Sequence, residues 1–178
     1  SELDFAFTTF NNNTNESDAS GFFTINATKA FQETVTVSFS VGGDATSGVD
    51  YTDLGTSFDF PPNQLSTPLA TSVSSDLVVE LDEEILVTLT GTDNVLVTIG
   101  SVSAASETIE NDDQATISLG TITNANEEGA NGSVVFNSDK RIAFDFDFTF
   151  SGVGGEAISN TDYTDIGVKG VKQYYLTD

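Results

Sequence analysis

The side chains whose spacing could do chemistry in this sequence are carboxylates. Asp76, Glu80, Asp82, Glu83 and Glu84 crowd into the first half of Ser75–Leu89 (S-D-L-V-V-E-L-D-E-E-I-L-V-T-L), and a second run, Glu110-Asn111-Asp112-Asp113, follows. Two like charges ~4 Å apart at an effective dielectric of ~20 cost roughly 4 kcal/mol. A solvated loop escapes that cost by spreading out, whereas a folded loop needs a cation. Calcium, which takes ~6–8 oxygen ligands and favours carboxylates on flexible loops, is the cation such a site would hold. Either a solvated acidic face or a calcium site fits these residues.

Other chemistry is excluded by composition. His, Cys, Met and Trp are absent, so no disulfide framework, no zinc site of the usual kind and no Ser-His-Asp or Cys-His nucleophile system can be built. Paired carboxylates could serve a glycosidase, but no Trp lines a sugar cleft, and the chain is not expected to be an enzyme. Lys plus Arg is 5 and Asp plus Glu is 28, giving a formal charge of −23. That surface repels phosphate, so nucleic acid is an unsuitable partner, and no apolar run is long enough for membrane insertion. Ser1-Glu2-Leu3-Asp4 lacks a basic stretch, so no signal peptide is expected there. Fourteen Phe with many Val, Ile and Leu supply a core, unlike a disordered acidic tail.

The elements that must position the carboxylates read as strands. Period-two alternation recurs between clusters of Asn, Gly, Asp and Ser, the all-β signature. Strands are expected near Leu3, Phe5 and Phe7, at Gly21–Ala27, Glu33–Val41, Thr56–Phe60, Leu65–Val73, Ile85–Leu89 and Ser103–Ile109, with Val95–Ile99 a short extra strand or loop. Pro68 puts the Leu65–Val73 strand at a sheet edge. Asn11–Ser20, containing Glu16, reads as a polar loop. In the Asp50-Tyr51 turn, Asp is expected to bond backbone while Tyr packs.

After Asp113 the pattern restarts. Asn15-Glu16 and Gly21 recur as Asn126-Glu127 and Gly132, and D-Y-T-D-L-G (50–55) recurs as D-Y-T-D-I-G (162–167). A repeat of this length is a whole domain, so two domains are expected in tandem, 1–113 and a partial copy over 114–178. Within the second copy, Ile142–Phe150 is expected to form a strand, with Phe144, Phe146, Phe148 and Phe150 facing the core and Asp145 and Asp147 facing water. No Gly, Pro or Ser spacer separates the copies.

Five fragments carry a family likeness: N-E-S-D-A-S-G-F-F (15–23), D-A-T-S-G-V-D-Y-T (44–52), F-D-F-P-P-N-Q (58–64), D-L-V-V-E-L-D-E-E (76–84) and T-I-E-N-D-D (108–113). In this order they resemble the Calx-beta family, over residues 1–113 and the first half of a second copy. The resemblance implies an all-β fold, an immunoglobulin-like antiparallel β-sandwich of seven strands with calcium at one pole, complete once and begun a second time. It also implies calcium ligands at Glu16, Asp76, Glu80, Glu83, Asp112 and Asp113. The chain departs from strong binders at three places. Asn111 precedes Asp112 where they carry Asp, Ser75 and Leu77 flank Asp76, and Gly42 replaces a carboxylate that Asp44 lies near. Fewer ions or weaker binding, in the millimolar range, is the expectation.

The expected role is a calcium-stabilised structural segment of an extracellular or cell-surface protein, such as a stalk, filament or adhesin. Its partners would be neighbouring repeats of the same chain and, in a filament, other subunits. The alternative is an adhesive module that binds protein or glycan through its loops or an exposed sheet face, including Lys169–Leu176.

Overall fold

The computed structural model describes residues 3–10, 13–18, 20–147 and 149. Two compact units are present, Ser1–Leu77 with Leu81–Asp113, and Val78–Glu80 with Gln114–Asp178.

The first unit carries strands β1 (Leu3–Phe10), β2 (Asn13–Asn15), β3 (Gly21–Ala27), β4 (Val35–Gly43), β5 (Ser57–Phe60), β6 (Ser66–Thr71), β7 (Glu83–Thr92), β8 (Val97–Ile99) and β9 (Ala104–Glu110). One sheet has the order β6-β3-β1-β8 and the other β2-β9-β7-β4-β5. The inner faces follow from alternation. Phe23, Ile25 and Ala27 of β3 face Val35, Val37 and Phe39 of β4 in one buried cluster. β6 lies at an edge, with Pro68 opposite Thr24.

Two features depart from the sequence expectation. Among the described residues the first unit has more strand segments than seven, and two pairings are parallel. The early chain contributes to both sheets. β1 runs antiparallel to β3 and, over Leu3–Phe5, parallel to β8, whereas β2 runs parallel to β9. β2 falls inside the stretch expected to be a plain polar loop. N-T-N has little intrinsic strand preference, so its extended form comes from its partner strand.

At the other turns, side chains meet backbone donors. Asp50 Oδ2 accepts the Thr46 N–H at 2.5 Å, and Tyr51 is buried. Asp44 Oδ1 accepts the Glu84 N–H at 2.7 Å. Gly43, at φ 105°, brings its backbone against the Glu84 carbonyl, where a Cβ would collide. Burial pushes the Tyr51 phenol above its ordinary pKa against a lowering hydrogen bond from Ser47, and the charges of Asp53 and Asp50 push the same way as burial. A raised folded-state pKa means that this contribution to stability is full below pH ~10 and lost as pH rises through the folded value. Calorimetric scans are therefore expected to show the thermal midpoint falling above pH ~10 more steeply in the parent than in Tyr51→Phe. Equal slopes would remove Tyr51 as the cause.

The second unit contains strands β10 (Ile117–Thr123) and β11 (Ser133–Ser138), paired antiparallel. Asp139 closes this hairpin: its Oδ1 accepts the Thr116 N–H at 2.6 Å, and that bond lowers its pKa. Ile142 bridges Val79 in parallel, with the Val79 N–H on the Arg141 carbonyl and the Ala143 N–H on the Val79 carbonyl, both at 2.9 Å. The expected strand Ile142–Phe150 is not formed over 143–147, where no ladder beyond this bridge is present among the described residues; Phe148 and Phe150 lie outside the described residues. Phe144 and Phe146 are half-buried while Asp145 and Asp147 are exposed. No helix among the described residues is long and apolar enough to cross a membrane.

Candidate metal centre

Parallel pairing brings the carboxylates together. Asn13, Thr14 and Asn15 lie opposite Thr108, Ile109 and Glu110, so β2 and β9 run side by side to the same end of the sandwich. Each strand then releases its acidic residues: Glu16 opens a single 3-10 turn, Glu16–Asp18, while β9 leads on to Asp112 and Asp113. The turn is shaped locally. Asn15 Oδ1 accepts the Ser17 N–H at 3.0 Å and its Oγ at 2.6 Å. Across from it, Asp82 Oδ1 accepts the Asn111 N–H at 3.1 Å, and Asn111 Nδ2 donates to the Asp113 carbonyl at 2.9 Å. Asn111, which stands where strong binders carry Asp, thus ties the Asp113 backbone to Asp82.

Glu16, Asp112 and Asp113 each offer a carboxylate oxygen, and these atoms lie within 4.8 Å of one another. Oxygens ~2.3–2.6 Å from one ion sit up to about 5 Å apart, so this spacing suits a shared calcium. Glu16 is 6 % exposed and Asp113 9 %, while Asp112 is open to solvent. Both buried residues make other contacts in the fold. One oxygen of each, Glu16 Oε2 and Asp113 Oδ2, is nevertheless buried and accepts no hydrogen bond. Such an oxygen costs about 1–3 kcal/mol or more, and a cation would satisfy both. The donor set is all oxygen and anionic, which suits calcium or magnesium rather than a soft metal.

The other three carboxylates carried over from the resemblance are not among this group of three. Asp76 is exposed in the segment before β7. Glu80 is half-buried in the Val78–Glu80 segment that belongs to the second unit. Glu83 is half-buried at the start of β7, opposite Ile109.

Sequence reasoning missed Glu107. It is fully buried in β9, on the inward parity of Ala105 and Ile109. Thr14 Oγ1 donates to its Oε1, and Thr71 Oγ1 donates to its Oε2 at 2.7 Å. Strand parity alone could have placed it inward, though not found its partners.

A family model of the Calx-beta domain matches residues 2–114. The chain is similar to the solved apo-form Calx CBD1 domain, at 19 % identity and TM-score 0.55, over 64 % of this chain and 100 % of that one. It is similar to the calcium binding domain CBD12 of CALX1.1, at 20 % identity and TM-score 0.54, over 61 % of this chain and 44 % of that one. The Calx CBD2 domain matches at 17 % identity and TM-score 0.51, over 61 % of this chain and 86 % of that one. At these identities the likeness is one of fold. Comparison with curated proteins gives no match.

Proposed function

Because the chain belongs to the Calx-beta family over residues 2–114, we propose that it is a calcium-stabilised structural repeat and not an enzyme. The observation that carries this reading is the convergence of Glu16, Asp112 and Asp113, with one orphaned buried oxygen on each of two of them. Calcium held there would neutralise the three carboxylates and tie the turn after β2 to the end of β9. It would thereby fix the direction in which the chain leaves the first sandwich. The restart of the sequence pattern after Asp113 supports a role in an array, with neighbouring repeats and other subunits of a filament as partners. The charge of −23 and the absence of Cys and Met support an extracellular or cell-surface setting such as a stalk or adhesin.

Titration calorimetry on the whole chain tests the metal. Saturable calcium uptake in the parent and its loss in Asp112→Ala/Asp113→Ala are expected. A parent that takes up no calcium at millimolar concentration would leave the acidic loops as solvated surface. Protease shaving of intact cells that make the full-length protein tests the setting; protection from shaving counts against surface display.

A further inference from the structure

We propose that Glu107 is a positioning residue for the metal centre, holding the loop that carries Glu16 where that side chain meets Asp112 and Asp113. This rests on the calcium reading above. The loop is gripped at both ends. Before it, Thr14, two residues ahead of Glu16, donates its hydroxyl to Glu107 Oε1. After it, Gly21 opens β3 directly against the same carboxylate; a Cβ there would overlap Glu107 Oε1 and crowd Thr14 Oγ1. Gly21 is therefore a space requirement of the Glu107 carboxylate.

The far side of the carboxylate is anchored in the opposite sheet. Thr71 Oγ1 donates to Oε2, and Thr71 of β6 is the register partner of Gly21. β2 is three residues long and lies at the edge of its sheet, so its ladder alone holds it weakly. A buried hydrogen bond to a carboxylate is among the stronger ones, and breaking it strands the acceptor. β9 bears Glu107 and leads directly to Asp112 and Asp113, so the element that fixes the Glu16 loop also delivers the two partners of Glu16. An acidic residue between inward-facing Ala105 and Ile109 carries a desolvation cost that an apolar residue would avoid. Holding the loop accounts for that cost.

The two threonines separate positioning from stability, because Thr14 lies on the strand that runs directly into the Glu16 turn, whereas Thr71 holds the far oxygen of Glu107 from a strand that does not. Calcium affinity by calorimetry, thermal midpoint in chelator, and hydrogen exchange of residues 15–18 in chelator would be measured on the whole chain. Thr14→Val and Glu107→Gln are expected to weaken calcium binding roughly tenfold and to speed exchange in the loop. Thr14→Ser, which keeps the hydroxyl, restores both. Thr71→Val lowers the midpoint but leaves affinity close to that of the parent. Where Glu107→Gln fails to fold, the Thr14→Val and Thr14→Ser pair decides. If the parent binds calcium and Thr14→Val binds it equally well, or if Thr71→Val weakens binding as much as Thr14→Val, Glu107 serves the fold alone and the proposal falls. If the parent takes up no calcium, the metal reading itself falls and takes this proposal with it; the parent titration alone identifies that case.

Discussion

In chelator, Asp113→Asn is expected to melt above the parent chain, and in millimolar calcium below it. Without a cation, Glu16, Asp112 and Asp113 hold ligand oxygens within 4.8 Å of one another, and two of these residues are buried. At an effective dielectric of ~20, each pair at that distance repels by roughly 3 kcal/mol, less where solvent reaches Asp112. Asparagine keeps the shape and removes one charge. It leaves untouched the Asp113 carbonyl that accepts from Asn111 Nδ2. The repulsion therefore falls while the loop stays built. Calcium reverses the order, because the parent gains binding energy that the variant largely lacks. At ~100 times the dissociation constant that gain is about 2.7 kcal/mol, on the order of 10 °C for a unit of this size. Scanning calorimetry in both buffers reads the crossing directly. The same order in both buffers would mean that the three carboxylates do not share an ion.

Phe60→Ala is expected to cost about 3–5 kcal/mol, a large part of the stability of any single domain. Phe60 is fully buried on β5, opposite Val35. Its ring centroid lies 4.8 Å from that of Phe5, which belongs to the other sheet, and 6.0 Å from that of Phe31, which it meets edge-on at 88°. Phe5 and Phe31 are themselves 5.2 Å apart, so the three rings form one closed contact across the sandwich. Close packing leaves the surrounding structure to relax only in part, and each lost ring pair adds to the transfer cost. The damage extends to the next turn, where Asn63, at φ 60°, donates its N–H to the Phe31 carbonyl at 2.7 Å. Urea denaturation should show a lower midpoint with an unchanged slope. β5 lies at the edge of its sheet opposite β2, so calcium affinity of the folded variant should match the parent. A shift below about 1 kcal/mol would show that the neighbouring rings collapse into the space.

The strands were legible where one face is buried and the other wet. Gly21–Ala27 alternates along its whole length and forms β3 over those residues, and Pro68 marks β6 as an edge. β2 was hidden because a single Thr between two strand-poor Asn gives little strand signal; the ladder of β9 imposes it. Alternation misled over 143–147, because it reports which side of a segment is apolar and not whether a described neighbour offers backbone partners. At the candidate site, the resemblance implied Glu16, Asp76, Glu80, Glu83, Asp112 and Asp113; Glu16, Asp112 and Asp113 are the ones grouped within 4.8 Å, and the parallel pairing of β2 with β9 explains why these three converge. Glu107 was legible in parity and illegible in purpose, since its partners Thr14 and Thr71 come from distant parts of the chain.

The parallel run of β2 beside β9 also decides how the first unit meets a pulling force. When the chain is drawn out from both ends, an antiparallel terminal pair opens like a zipper, one hydrogen bond at a time. A parallel pair formed by an early and a late strand is loaded lengthwise instead, so its bonds share the tension and must slip together. β2 and β9 are such a pair, and β1 with β8 is another. An ion shared by Glu16, Asp112 and Asp113 would sit at the end of the first pair as a rivet, its attraction to both strands adding to the same shear. On the calcium reading proposed above, the resistance of this pair to shear along the chain would rise with the calcium around it.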